Sequence, residues 1–560
     1  MTAAPSPLVP PTNFRGVFRD DAPACAVYSE AAGIERIMPR AVAIPADDAD
    51  VVAIVHWARA RGIPITPRGS GTSMGGGAVG PGVIVDLGLL NAIGPVDVSA
   101  NRMAVGPGAL RSAVNSAATE HGLRFPVDPS SGSYCTVGGM VATNASGAHS
   151  LRFGSTRQWV TALDCVFADG SRAILTRGEA PPPELAGVSR FLEEVHPRIV
   201  SRRKMIDAAH RGVRKDSSGY ALRAYAESGE IIDLLIGSEG TLAIVVGVEL
   251  LLARAPGATR GVLGAFHSLD SAVVAASKAR SSDVAACELL ERTFLDVAAA
   301  GRDDDVSPET RAALTALPDG TAAVLLAGVE GETAEEATER AEAIAEIFRL
   351  AGSTQVSTAS THGEQHGIWE LRHAASPIIA RLDPALKSMQ FIEDGAVPPE
   401  KFGDYVRGVR AALDARGVRG IIFGHAGDAH VHVNPLIDVS KPDWRSTVEG
   451  ILEDVVMLTS RLGGTLSGEH GDGRLRAPLL VETWPEEEIE LFNRVKVCFD
   501  PDGILNPGVK IPLPGQKPIT DVKYDPMLPP LPAEARAALD AIAANHAYAT
   551  PRLSLIDRAG

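Results

Sequence analysis

Two short histidine-bearing segments carry the side chains best suited to chemistry. The first reads Gly424-His425-Ala426-Gly427-Asp428-Ala429-His430-Val431-His432-Val433-Asn434, the second Ser467-Gly468-Glu469-His470-Gly471-Asp472-Gly473. Neutral imidazoles and a carboxylate are ligands for a divalent cation, and a histidine beside them can serve as base. Taken alone, the set suggests a metallohydrolase. The glycines and the β-branched Val431 and Val433 favour a turn leading into a strand over a helix. On an extended stretch His430 and His432 share one face, and His425 reaches in from the turn.

The elements around these segments fall into two textures. Residues 1–38 read as an irregular lead-in. Residues 47–61 predict a helix, with Val51, Val52, Ile54, Val55 and Trp57 on one side and Asp47 and Asp48 near its start. Residues 64–67 and 82–87 read as strands, and residues 231–252 as strand-rich. Near residue 256 the texture changes. Strands at 259–266 and 322–329 alternate with Ala/Glu-rich helices such as 333–350, which predicts an α+β domain with an antiparallel sheet. The tail from residue 512 is Pro-rich and then helical over 532–547.

A chain of 560 residues is long enough for two or three domains. Its formal charge of −16 argues against a nucleic-acid partner, which needs a basic footprint. No apolar run reaches the ~18 residues of a membrane span. The Pro/Ala-rich start does not read as a secretory signal. Five scattered cysteines without a CxxC pair argue against a cysteine-ligated zinc, an iron–sulfur cluster or a disulfide framework, and fit reduced thiols in a cytoplasmic protein.

Two glycine-rich stretches answer the histidines. In Arg68-Gly69-Ser70-Gly71-Thr72-Ser73 the backbone N–H groups can form an anion-binding nest suited to a pyrophosphate. There is no Gly-Lys-Ser/Thr of a P-loop and no GxGxxG between strand and helix. The second stretch holds Asp128-Pro129-Ser130-Ser131, Val137-Gly138-Gly139-Met140-Val141-Ala142-Thr143-Asn144-Ala145-Ser146-Gly147 and Arg152-Phe153-Gly154-Ser155-Thr156. So many small residues describe backbone pressed against something large and flat.

These motifs, with Gly237-Ser238-Glu239-Gly240-Thr241 and Phe499-Asp500-Pro501-Asp502-Gly503-Ile504-Leu505-Asn506-Pro507-Gly508, resemble the FAD-linked oxidases of the vanillyl-alcohol oxidase / p-cresol methylhydroxylase superfamily. The resemblance is closest to the branch of D-lactate and D-2-hydroxyglutarate dehydrogenases and the glycolate-oxidase flavin subunit. It implies a two-part FAD-binding domain at 39–255, an α+β substrate (cap) domain with an antiparallel sheet at 256–455, and a segment at 456–511 completing both the active site and the FAD domain. The lead-in at 1–38 and the tail at 512–560 flank them. It places Gly69, Ser70, Gly71, Thr72 and Ser73 on the FAD pyrophosphate. Gly138, Gly139, Thr143, Asn144 and Gly147 line the flavin and its chain, Ile244 the adenosine part and Asn506 the ring, with Arg68, Pro129 and Glu239 also on the cofactor. The pyrophosphate loop has no histidine, so non-covalent FAD is expected, with Cys135 as rival attachment point.

The same resemblance makes His425, His432 and Glu469 ligands of a divalent metal, zinc or manganese, with His470 as base. Asp428 would orient a ligand, and His430 would either support the ligands or be structural. Arg372 would hold the substrate carboxylate, with Ser376 and Asn434 as further substrate contacts. The implied reaction is oxidation of a D-lactate-like or glycolate-like 2-hydroxy acid to the 2-oxo acid. Hydride passes to flavin N5, and His470 takes the hydroxyl proton. In relatives specific for a distal carboxylate a lysine stands two residues before the Asp of the stretch that here reads Gln390-Phe391-Ile392-Glu393-Asp394. Ile392 therefore points away from such substrates. Rival readings are a non-redox flavoenzyme resembling alkyl-dihydroxyacetonephosphate synthase and a flavin subunit of an iron–sulfur dehydrogenase. The electron acceptor would be a separate iron–sulfur, quinone or cytochrome partner. The reading admits a homodimer and a peripheral position at the inner face of the membrane.

Overall fold

A computed structural model describes residues 7–300, 306–372 and 385–557. Two sheets carry the glycine-rich half. The first is four-stranded: Val17–Arg19 and Ala41–Ile44 pair antiparallel, and Val83–Asp86 and Ile65–Arg68 continue parallel. The helix Asp48–Arg59 provides the crossover. Asp47 caps it by accepting from the Asp50 N–H, and its apolar stripe buries Val51, Ile54, Val55 and Trp57. The second sheet is antiparallel, in the order Ile93–Asp97, Arg102–Val105, Ala243–Leu251, Val160–Phe167, Arg172–Thr176.

The cap domain is built on a larger antiparallel sheet. Seven strands run in the order Gln355–Ala359, Ala258–Phe266, Ala323–Gly331, Ala286–Glu291, Gly420–Gly424, His430–Asp438, Leu386–Ser388, and Gly395–Ala396 pairs with His430–Asp438 off that path. Helices Leu269–Arg280, Ala334–Leu350, Phe402–Asp414 and Trp444–Arg461 contribute to its main core. The fold is thus a half built on two sheets, joined to an α+β cap with an antiparallel sheet.

Two expectations need correction. The lead-in is not irregular: Val17–Arg19 is a paired strand, and Ala22–Tyr28 is a helix capped by Asp21 with a proline in its first turn. Both elements are too short to show a period. Residues 231–252 are not strand throughout. Ile231–Leu235 is a helix before the turn into Ala243–Leu251, because its apolar run reads equally as a buried helical turn. The tail's helix, expected over 532–547, is Ala533–Asn545 and packs against Ala22–Tyr28.

Candidate functional site

A cavity of about 1150 Å³ runs between the two halves. It exceeds the roughly 300–1,000 Å³ of an ordinary small-molecule pocket, so it has room for a dinucleotide and a substrate together.

One wall is backbone. Loop Gly69–Ser73 lines it, and the side-chain oxygens of Ser70 and Ser73 are buried without a hydrogen-bond partner. Buried hydroxyls are rarely left so, and two of them on one loop mark a place for acceptor oxygens. A Cβ on Gly69 would lie 2.1 Å from Thr136 Oγ1, and one on Gly138 2.6 Å from Pro107 Cβ, so both positions require glycine. Pro129, Gly138, Gly139, Thr143, Glu239 and Ile244 line the same cavity.

Other expected cofactor residues serve this wall from behind or through their side chains. The Arg68 guanidinium donates to the carbonyls of Tyr28, Glu30 and Ala78, tying the loop's base to the N-terminal helix. Asn144 ends its helix in the left-handed region and accepts from the Arg157 N–H. The Gly147 carbonyl accepts from Lys215 Nζ. Asn506 donates to the carbonyls of Gly77 and Glu239 and neither lines the cavity nor reaches into it. Glu239 accepts from the N–H groups of Asp472 and Gly473, which pins the second histidine segment to the glycine-rich half.

The opposite wall is charged. As the spacing predicted, His425 follows the strand Gly420–Gly424, and His430 and His432 lie on His430–Asp438. His425 Nδ1 is 2.6 Å from Glu288 Oε1, and His432 Nδ1 is 2.9 Å from the Glu393 carbonyl. Both Nδ1 atoms therefore act as donors, which turns both Nε2 atoms toward each other at 3.3 Å and toward Glu469 Oε1 at 3.1 and 3.4 Å. The other Glu469 oxygen is taken by Ser146 Oγ and Lys215 Nζ, at 2.6 and 2.9 Å. Three acceptor atoms this close require positive charge among them, a proton or a cation. Burial pushes the His432 imidazole down to about 3, so it is neutral at neutral pH. For His425, burial is opposed and outweighed by Glu288, which raises the imidazole above its ordinary value.

His470 lines the cavity with its Nδ1 3.2 Å from Glu393 Oε1, which leaves Nε2 as the atom that can face a substrate. Burial lowers its basicity, but Asp394 and Glu393 outweigh it and lift the imidazole to about 9. Arg372 also lines the cavity. Its Nε lies 2.7 Å from Glu288 Oε2, and its guanidinium packs over the Phe423 ring at 4.4 Å. Asn434 lines the cavity as well, whereas Ser376 lies outside the described residues.

Sequence reading missed the carboxylates and the lysine that organise this wall. Glu288 spans Arg372 and His425. Asp394 accepts from Ser467 Oγ and from the N–H groups of Glu469 and His470, and its Oδ1 lies 2.9 Å from His430 Nε2. Lys215 comes from a loop with no motif. The adjacent Glu393-Asp394 pair was the one available signal. Asp428 orients no ligand: it pairs with Arg214 and accepts from Ser150 Oγ. Ile392 says nothing about the substrate, because it is buried in the cap core and does not reach the cavity. Lys387 on Leu386–Ser388 does reach it.

The model for the FAD binding domain matches residues 39–176, and that for the C-terminal domain of FAD linked oxidases matches residues 255–509. D-2-hydroxyglutarate dehydrogenase of Escherichia coli (strain K12) is 30% identical over 508 residues, covering 86% of this chain and 49% of its own, so the chain spans about half that relative's length. Glycolate oxidase subunit GlcD of Bacillus subtilis (strain 168) is 29% identical over 477 residues, covering 84% and 88%. Among solved structures, p-cresol methylhydroxylase with substrate bound superposes with a TM-score of 0.63 at 14% identity over 89% of this chain and 94% of that one, a likeness of fold. With both family models in order along the chain, and the glycine loop and histidine cluster facing one cavity, the chain carries the FAD binding domain and the C-terminal domain of the FAD linked oxidases.

Proposed function

We propose that the protein oxidises a 2-hydroxy acid to the 2-oxo acid with FAD and a divalent cation. The observation that carries the reading is the sharing of one cavity by the Gly69–Ser73 loop with Arg372, His432, Glu469 and His470. Bound FAD supplies a two-electron acceptor, and the cation supplies electrophilic assistance at the substrate oxygen.

The chain's own groups would do the rest. The unpartnered Ser70 and Ser73 hydroxyls and the loop N–H groups suit a pyrophosphate. No histidine stands in the loop, and burial pushes the Cys135 thiol up to about 11, far from a reactive thiolate, which supports non-covalent FAD. His425, His432 and Glu469 fit a cation because their inward atoms are all acceptors, and nitrogen with carboxylate oxygen suits zinc or manganese. His430 adds a buried Nδ1 without a partner to the same cluster. Arg372 offers a planar cation for the substrate carboxylate, and Asn434 a polar contact. His470 takes the hydroxyl proton at Nε2, with its Nδ1 facing Glu393. A cation at the neighbouring Glu469 would oppose the two carboxylates that raise the His470 imidazole.

Lys387 lines the cavity and its Nζ faces the Tyr524 ring at 5.8 Å, among the described residues its only contact with a charged or aromatic group. It supports an acid carrying a second anionic group, a class that Ile392 had argued against. The reduced flavin needs an outlet, and a separate electron-accepting partner is part of the proposal. Anaerobic flavin bleaching by D- and L-2-hydroxy acids, with and without a second carboxylate, tests it. Bleaching by one enantiomeric series is expected, and a flavin that none of them reduces would refute the reading.

A further inference from the structure

The segment past residue 511 lies outside both family matches, the later of which ends at residue 509. Apart from the Tyr524 ring beside Lys387, the chemistry above does not use it, yet it borders the cavity. Residues 519–525 form a strap between the two halves. On the FAD side the Arg36 N–H donates to the Asp521 carbonyl at 2.6 Å and the Lys523 N–H to the Ile34 carbonyl at 2.7 Å. On the cap side Arg445, from the helix Trp444–Arg461, donates to the Ile519 and Thr520 carbonyls and pairs with Asp525.

After the strap the helix Ala533–Asn545 buries Ala535, Ala538 and Leu539 against Ala24, Val27 and Tyr28. That contact leads to the pyrophosphate loop. The Tyr28 carbonyl is one of three that hold Arg68, and the Ala32 and Gly33 N–H groups donate to the Gly71 and Ser73 carbonyls. The helix stops at His546, which is left-handed with φ 51°. The chain then turns back and sets two rings on Tyr134. His546 stacks at 5.9 Å between centroids and 13° between planes, Tyr548 at 5.6 Å and 28°. All three rings line the cavity. Tyr134 stands two residues before Thr136, the residue Gly69 packs against, so the stack rims the cavity beside the loop that carries the unpartnered Ser70 and Ser73 hydroxyls.

We propose that this tail is part of the dinucleotide site, with Tyr548 and His546 stacked on Tyr134 as a rim that retains bound FAD. The inference rests on the FAD reading above. The physical reason is shielding. Rings at the rim keep water from the phosphate contacts, and hydrogen bonds and charge interactions strengthen as the local dielectric falls. An open loop would exchange its ligand faster.

The test uses the full-length holoprotein and reads flavin release, not turnover. FAD fluorescence is followed after dilution, and the FAD-to-protein ratio is measured after gel filtration. Deleting the tail would expose the buried face of its helix, so single substitutions are the better probes. Tyr548→Ala and Tyr134→Ala are each expected to speed FAD release roughly tenfold, with the double variant little faster than either, since both break one stack. Tyr548→Phe should retain the wild-type rate. If Tyr548→Ala lowers the melting temperature of the apoprotein sharply, His546→Ala, at the exposed end of the stack, reads the same rim. Wild-type release rates in Tyr548→Ala and His546→Ala would overturn the proposal. A wild-type protein that takes up no FAD would overturn the cofactor reading as well, which separates the two failures.

Discussion

On the glycine wall of the cavity, Ser70 and Ser73 keep buried hydroxyls without partners, and the side chains are small or absent. On the histidine wall most polar atoms are already engaged: Glu288 holds His425 and Arg372, Asp394 gathers three hydrogen-bond donors and faces His430, and Ser146 and Lys215 occupy one oxygen of Glu469. The difference is one of where order is supplied. The glycine wall is shaped by backbone and is completed by its ligand. The histidine wall is pre-set by buried charge, with its inward atoms fixed before anything binds. The first should fail by losing its ligand, the second by losing chemistry.

Substitutions on each wall can break that contrast. The largest effect is expected for Glu469→Gln, which removes a charged acceptor from the cluster. Metal content should fall, and flavin reduction should slow roughly a thousandfold or more with FAD still bound. Equal loss of FAD and metal would show that the walls are not separable. Next comes His470→Asn, expected to slow reduction by roughly 10²–10⁴-fold with metal and flavin content unchanged, as for a lost general base. Reduction at the wild-type rate would remove His470 from that role.

A matched pair sharpens the comparison. Glu288→Gln should weaken metal binding by about 10–100-fold through the lost hold on His425 Nδ1 while FAD stays in place. Gly69→Ala, whose Cβ would meet Thr136 Oγ1, should weaken FAD by roughly tenfold while metal stays in place. Metal analysis and flavin titration on both proteins check this, and a crossed result would break the contrast.

The smallest effect concerns stability behind the glycine wall. Glu35 is buried against Gly76, both its oxygens lack partners, and burial raises its carboxyl from an ordinary 4.5 to about 7. Its folded pKa is raised, so its contribution to stability is full below 4.5 and is lost as the pH rises to about 7. Melting temperature should therefore fall from pH 5 to pH 8 more in the wild type than in Glu35→Gln. Parallel curves would mean that the carboxyl is solvated.

Much of the site was legible because its residues are close in sequence or repeat a short pattern. The turn-then-strand reading of residues 424–434 followed from glycines, β-branched valines and a period of two, and the structure has that turn and strand. The helix expected over 47–61, with Asp47 and Asp48 near its start, was equally local, and the structure has it at Asp48–Arg59. Glu288 was not legible. It lies 137 residues from His425 and belongs to a strand, Ala286–Glu291, whose neighbours in sequence carry no motif. Lys215 is 254 residues from Glu469. Ile392 was misread because position along a motif does not say which side of the chain faces the cavity.

The sequence by itself determined the two chemistries: glycines and hydroxyls that can cradle an anion, and imidazoles with a carboxylate that can hold a cation. Residue type and short spacing suffice for both. Only the tertiary structure decided that the two face one cavity, that Glu288, the Glu393 carbonyl, Asp394 and Lys215 orient the imidazoles and carboxylate of the histidine wall, and that the tail returns to the Gly69–Ser73 loop. Those contacts join residues from 36 to more than 250 positions apart, and they form only when two sheets and their helices bury their apolar faces.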